Sequence, residues 1–370
     1  MAKLLMITGL GSARDLASGK RGAFYNTLEE FHRYWERIDI IAPRVKQPVG
    51  NLFGNVFIHT SPWPLLLHLV FFIKKAMTIY REQKFDLMTV HEFPPFYNGL
   101  AARWLWHKLK IPYIIEIHHV TGYPKPGSMK ERVYLSLMHW FVAWDIKPSK
   151  QIRVVNQKQV SEFLIKAGVD QAKISYIPSL YIDLDVFKPL VEEKKYDLIF
   201  IGRLVENKGI NLFLETVKKT GLSGAIIGTG PLQHEIKLKI EKWKLKIDFH
   251  GWAKDANAVA HLINQSRLLV MPSYNEGGPR VVAEAMACGV PFLATPVGIV
   301  PDLISQVEVG EVIRWDVLDI QRKAEALLSD PERYSRYSKA GPILAKQFEK
   351  KQAIKHYADW LKSYIDSESL

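Results

Sequence analysis

Two glutamates separated by seven residues, Glu276 and Glu284, sit in a segment whose local pattern suits an anion. Upstream, Leu268 to Met271 is a short apolar run that predicts a buried strand, ended by Pro272, Ser273 and Asn275. Gly277 and Gly278 then open a turn whose backbone can come close to a bound group. Pro279 occupies the place of a first helical residue, and the helix is predicted to run to about Cys288, where Gly289 and Pro291 stop it. Strand, glycine turn and helix leave free amide hydrogens, those of Gly278 to Arg280, facing the turn, and such an end attracts phosphate. Helical side chains lean toward the N-terminus, so Glu284 reaches the mouth that Glu276 lines. A carboxylate accepts two hydrogen bonds and so suits a vicinal diol. Either glutamate alone reads equally well as a solvated helix-end charge. Phosphate and two diols together describe a nucleotide-sugar.

Other residues fit the same chemistry. After a predicted strand from Leu198 to Ile201 comes GRLVENKG, with Arg203 and Lys208 across a turn bounded by Gly202 and Gly209. A planar fork and a point charge on one loop make a suitable anion clamp. A second strand, Ala225 to Gly228, turns through Gly228, Gly230 and Pro231 into a helix, a weak signal when taken alone. His118 and His119 follow a predicted strand from Pro112 to Ile117. A lone histidine there is more often structural, but it can donate a hydrogen bond while titrating near neutrality. Gly19, Lys20, Arg21 and Gly22 precede an amphipathic helix, where an ordinary loop and cap is the competing explanation.

Glu276, seven residues and Glu284, followed by AMACGVP, resemble the Glu-x7-Glu signature of family 4 retaining glycosyltransferases. The resemblance implies an α/β chain of the GT-B type, two Rossmann-like doubly wound domains facing across a cleft. It also implies retaining, metal-independent transfer of a hexosyl unit from a UDP- or GDP-sugar to a glycan or lipid-linked acceptor, in cell-envelope or surface polysaccharide or glycolipid synthesis. Arg203 and Lys208 would neutralise the donor diphosphate, Glu276 would orient the sugar and Glu284 the ribose. His118 would approach the scissile bond, a role that a shift of one residue moves to His119. Gly228 to Pro231 would lie near the base, and the Gly19 to Gly22 loop would close over the acceptor. Asp183-Leu184-Asp185 has the shape of a metal pair but precedes FKP, which resembles the family's interdomain linker. No metal or cofactor is therefore expected beyond the nucleotide-sugar. The chain departs from the family at Ser179 to Asp183, where Asn-Gly before Val-Asp is usual. Ile299 stands where a second glycine is common, and Asp302 where glutamate is usual. A nucleotide-sugar 2-epimerase of the same fold is the alternative activity, and a non-catalytic nucleotide-binding protein a third reading, against which the intact Glu276, Arg203 and Lys208 set argues.

The elements that position these residues alternate strand and helix along 370 residues, enough for two domains. The first is expected over residues 1–188, completed by a C-terminal helix at about 351–370, and the second over 189–350. Gly9 and Gly11 are expected to open a loop after the first strand. HEFPPFYNG is expected to form a loop at the sheet's C-terminal edge. The single cysteine, Cys288, excludes an internal disulfide and fits a reducing compartment. No apolar run approaches a membrane span, and nothing at the N-terminus reads as a signal peptide, so a cytoplasmic protein is expected. Of the net +12 charge, +10 falls in residues 1–189, which favours an anionic surface or ligand. Leu65 to Tyr80 and Tyr134 to Trp144, both flanked by bases, are candidates for peripheral contact with the cytoplasmic face of an anionic membrane. Most of their apolar residues are expected in the core, with only the basic rim outside. No nucleic-acid motif accompanies the charge, so a nucleic-acid partner is not expected.

Overall fold

The computed structural model describes residues 2–92, 96–126 and 129–365, and holds two twisted sheets built on the strand–helix alternation. The first begins with β1 (Lys3–Ile7), α1 (Leu10–Ala17), α2 (Ala23–Phe31), β2 (Arg37–Ala42), β3 (Asn51–Leu52) and β4 (Val56–Thr60). It continues with α3 (His68–Gln83), β5 (Leu87–His91), α4 (Tyr97–Leu109), β6 (Tyr113–Ile117) and α5 (Met129–Ile146). β7 (Gln151–Val154), a π turn at Gln157–Ser161, α6 (Glu162–Lys166) and β8 (Ile174–Tyr176) complete it. The order is β3-β4-β2-β1-β5-β6-β7-β8, parallel except for β3. The middle of the HEFPPFYNG loop, residues 93–95, lies outside the described residues, as do residues 366–370 of the expected last helix.

The second sheet starts at β9 (Tyr196–Ile201), followed by α7 (Ile210–Thr220), β10 (Gly224–Ile227), α8 (Gln233–Lys242) and β11 (Ile247–Gly251). Next come α9 (Ala256–Asn264), β12 (Ser266–Met271), α10 (Arg280–Ala287), β13 (Phe292–Ala294), α11 (Val300–Gln306) and β14 (Gly310–Val312). The order is β11-β10-β9-β12-β13-β14, all parallel. α12 (Val317–Leu328), α13 (Pro331–Ala345) and α14 (Lys350–Lys362) end the described chain.

Because side chains alternate along a strand, each sheet packs a core on both faces. In β1, Leu5 and Ile7 meet α3, α4 and α5, while Leu4 and Met6 meet α1, α2 and α14. In β12, Leu269 and Met271 pack with α9 and α10, and Leu268 and Val270 with α7 and α12. α14 thus leaves the second half and buries Ile354, Tyr357, Ala358 and Leu361 in the first. The outgoing and returning crossings pair with each other, Ile182 N donating to Phe348 O at 2.7 Å and Lys350 N to Ile182 O at 2.9 Å.

Two local expectations need correction. Gly9 and Gly11 do not open a loop, because α1 begins at Leu10. Its Gly11-Ser12 start is poor in helix propensity, but Ala13, Leu16 and Ala17 are buried and packing overrides the local preference. The two candidate membrane segments do bury or half-bury most of their apolar residues against the core, but more than a basic rim lies outside. In α3, Phe72, Ala76 and Ile79 are buried, yet Val70 is exposed, as are Leu65 to Leu67 in the 3-10 turn before the helix. In α5, Met138 and Val142 are buried, while Met129, Val133, Leu137, Trp140 and Trp144 form an exposed stripe at helical spacing. Among the described residues no helix is long and apolar enough to cross a membrane.

Candidate active site

Open parallel sheets bind ligands beyond their strands' C-terminal ends, where the strand order reverses. In the second sheet that reversal lies between β9 and β12, and there the sequence places its two cations and its first glutamate. Gly202 and Arg203 follow β9, and Lys208 ends a 3-10 turn before α7. Ser273 and Glu276 follow β12. A cavity of about 270 Å³ is lined by Gly202, Arg203, Lys208, Ser273, Glu276 and Gly278, and also by Pro279, Arg280 and Glu284. The first turn of α10 therefore faces it, Pro279 preceding the helix without a side-chain cap.

Within this cavity charges are matched. Lys208 Nζ donates to Glu276 Oε1, which also accepts from Ser273 Oγ at 2.9 Å. Arg203 is exposed and free to meet an anion entering from solvent. Burial raises the Glu284 carboxyl, with Arg280 pulling the other way.

Gly277 and Gly228 have a different task from lining the site. A Cβ on Gly277 would lie 2.1 Å from His118 O, so the turn and the first half can touch only through a glycine. A Cβ on Gly228 would lie 1.9 Å from Gly202 O, and one on Gly230 2.5 Å from Leu204 O. Gly228 and Gly230 therefore back the cation loop, and neither they nor Pro231 line the cavity.

A second cavity of about 330 Å³ adjoins the first, sharing Gly278 and Arg280. It sits at the first sheet's own reversal, between β1 and β5, and is closed below by Tyr357 of α14. His118 lines it, its ring stacked on His91 at 4.3 Å between centroids and its Nε2 3.5 Å from Glu116 Oε2. His119 turns the other way, into the field of Glu276 and Lys208. Burial pushes its imidazole down to about 4, His118 and Lys208 add to the effect, and Glu276 opposes it. Gly19, Lys20, Arg21 and Gly22 line neither cavity. Lys20 pairs with Asp15 at 2.9 Å, Arg21 lies over Tyr25, and Gly22 precedes α2, whose Phe24 and Thr27 face the second cavity instead.

Sequence reasoning missed the contacts that join the two halves. Asn156, fully buried, accepts from Val160 N at 2.9 Å and donates to Gly277 O at 3.1 Å. Asp302 accepts from the amides of Gln157 at 2.8 Å and Lys158 at 3.2 Å, capping a helical segment of the opposite half. The available signal was Asp302 itself, a short acid one residue after a proline; only the tertiary structure shows what it caps.

Two facing doubly wound sheets, a basic anion clamp beside an acid-bearing glycine turn, and a returning C-terminal helix define a GT-B glycosyltransferase. The chain belongs to that class by family as well: residues 182–343 match Glycosyl transferases group 1, and residues 24–180 match Glycosyltransferase Family 4. It is 25% identical over 305 residues to an uncharacterized glycosyltransferase of Methanocaldococcus jannaschii, covering 80% of this chain and 82% of that protein. It is 22% identical over 248 residues to the UDP-Gal:alpha-D-GlcNAc-diphosphoundecaprenol alpha-1,3-galactosyltransferase of Escherichia coli, covering 60% of this chain and 62% of that one. Sucrose-phosphate synthase from Thermosynechococcus elongatus superposes with a TM-score of 0.82 at 16% identity, over 99% of this chain and 100% of that one. Anabaena HepE, solved with UDP and glucose, superposes with a TM-score of 0.73 at 16% identity, over 98% of this chain and 100% of that one.

Proposed function

We propose that this glycosyltransferase moves a hexosyl unit from a nucleoside-diphosphate sugar to a glycan or lipid-linked acceptor, with retention at the anomeric carbon. The observation that carries this reading is the convergence of Arg203, Lys208, Glu276, Glu284 and the start of α10 on one cavity. Cleavage of the donor places positive charge on the sugar ring and negative charge on the departing diphosphate. Arg203, Lys208 and the amides of Gly278 to Arg280 meet that negative charge, and no metal ion is needed for the task. Glu276 orients sugar hydroxyls while Lys208 holds it in place, and Glu284 takes the ribose. His118, on the wall of the second cavity, faces the anomeric carbon. The acceptor hydroxyl enters from the second cavity on the face the diphosphate leaves. Its oxygen bonds to the anomeric carbon as the carbon–phosphate-oxygen bond breaks, and its proton passes to the departing phosphate oxygen. UDP is the favoured nucleotide, since HepE was solved with it and the Escherichia coli relative is named for UDP-Gal. The relatives named above are transferases, which leaves the epimerase alternative without support.

A thermal-shift series with UDP, GDP and their sugars tests the donor, repeated on Glu276→Ala and Arg203→Ala. Stabilisation of the wild type that both variants lose is the expected result. No stabilisation by any nucleotide would sink the assignment.

The same protein is proposed to work at the surface of an anionic membrane. The exposed stripe of α5 and Leu65 to Leu67 are rimmed by Lys74, Arg81, Lys108, Lys130 and Arg132, the combination of apolar area and positive charge that binds such bilayers. Flotation should recover the chain with anionic vesicles and not with neutral ones, and Trp140→Ser should weaken the recovery. Equal binding to both vesicles, or to neither, would refute it.

A further inference from the structure

The cavity on the first-sheet side carries a cation that the donor chemistry does not use. Arg280 opens α10 and lines both cavities, and its guanidinium lies 4.2 Å from the centroid of Tyr181, on the wall of the second cavity. Tyr181 is itself fixed, its hydroxyl 2.9 Å from Thr27 Oγ1. A guanidinium held flat on an aromatic ring keeps its N–H edge free for an oxyanion and loses little freedom on binding one. Among the described residues no carboxylate pairs with Arg280 within ion-pair distance.

The rest of the lining favours the same ligand. Its one carboxylate, Glu116, is already engaged by Tyr357 Oη, by Arg153 Nη1 at 3.3 Å and by His118 at 3.5 Å. His91 Nε2 is buried without a hydrogen-bond partner, a polar atom in the cavity wall that a bound ligand would satisfy. Hydroxyls of Ser12 and Thr27 suit a sugar. The cavity thus offers a fixed cation, an unsatisfied imidazole nitrogen and neutral hydroxyls, with no free carboxylate to receive an amine.

We propose that this cavity binds an acceptor sugar bearing an anionic group, phosphate or carboxylate, and that the side chain of Arg280 receives that group. The inference rests on assigning the adjoining cavity to the donor, and it makes Arg280 a determinant of acceptor choice.

Isothermal titration of the whole protein, with and without UDP, compares glucose 6-phosphate, glucuronate and unmodified glucose. At least one anionic sugar should bind about tenfold or more tightly than glucose, the worth of one charge-assisted contact. Whichever of the two prevails identifies the group as phosphate or carboxylate. Arg280→Gln should abolish that preference, while Arg280→Lys, retaining charge without the fork, should keep part of it. Equal binding of glucose and both anionic sugars, or no binding of any, overturns the proposal. So does an Arg280→Gln protein that loses UDP affinity while its sugar preference persists, since the side chain would then belong to the donor phosphates. If UDP fails to bind the wild type while the anionic preference stands, the donor assignment fails and the acceptor proposal does not.

Discussion

Glu116→Gln should lower stability in a way that depends on pH, because one buried carboxylate joins three parts of the molecule. Glu116 is the next-to-last residue of β6 and is 6% exposed. It accepts from Tyr357 of α14 and from Arg153 of β7, and His118 lies beside it. Arg153 carries the network on, donating to Ile177 O and Pro178 O, both at 3.0 Å, where the chain leaves the first sheet. Burial by itself would raise the carboxyl, but the Arg153 charge and the bonds from His118 and Tyr357 outweigh it and hold it at about 2, against an ordinary 4.5. An acid held below its unfolded value stabilises the fold fully above that value, and the contribution disappears as pH falls through the folded one. The gap corresponds to about 3 kcal/mol at neutral pH. Urea unfolding from neutral pH down to about pH 3 should show the variant less stable by roughly that amount at pH 7. The difference should narrow steadily below about pH 4.5, as the unfolded wild-type chain takes up a proton that the folded carboxylate does not. A deficit that is absent, or that stays constant down to the acid end, would refute the reasoning.

Three further outcomes are expected. Lys208→Ala removes the partner of Glu276 and, on the function proposed above, a diphosphate contact, and should reduce nucleotide release in a coupled assay by about a hundredfold or more with unchanged circular dichroism. Gly277→Ala puts a methyl 2.1 Å from His118 O and 3.5 Å from His119 Cβ, and should cost about 1–3 kcal/mol in urea unfolding by forcing the two halves apart. Asp145→Asn should do the opposite at neutral pH. Burial raises the Asp145 carboxyl to about 6, so the folded protein holds a proton that the unfolded chain releases, and stability falls as pH rises from about 4 to 6. Asparagine removes that penalty, so the variant should be more stable than wild type at pH 7 and no more stable near pH 3.

The cavity proposed for the donor was legible because its determinants are local. Strand, turn and helix from Ser266 to Ala287 follow from an apolar run, two glycines, a proline and a stop signal, and the site is that unit's own turn. Arg203 and Lys208 are likewise placed by a single strand and the turn after it. Where the site depended on distant packing, the pattern could not show it. The exposed stripe of α5 is one case: a helix apolar all round reads as buried, and only the neighbours decide which of its faces is covered. The Gly19 to Gly22 segment is another. Its glycines and bases suggest an anion loop, but the wall of the second cavity comes from Ser12, Phe24 and Thr27, brought there by α1 and α2.

The contacts between halves argue that the geometry of the turn carrying Glu276 and domain closure are one property here. Gly277, next to Glu276, packs its backbone on that of His118 and gives its carbonyl to Asn156 of the first half. Asn156 also caps the helical segment whose first amides are held by Asp302 of the second half, so each half supplies a cap that the other requires. Gln159 extends the seam, donating to Pro296 O and accepting from Gly298 N, and both bonds weaken if the halves separate. A rotation that opened the cleft would thus release the turn carrying Glu276 along with the two caps. Order in the turn carrying Glu276 should therefore depend on closure, and the backbone at Gly277 is held by the first half.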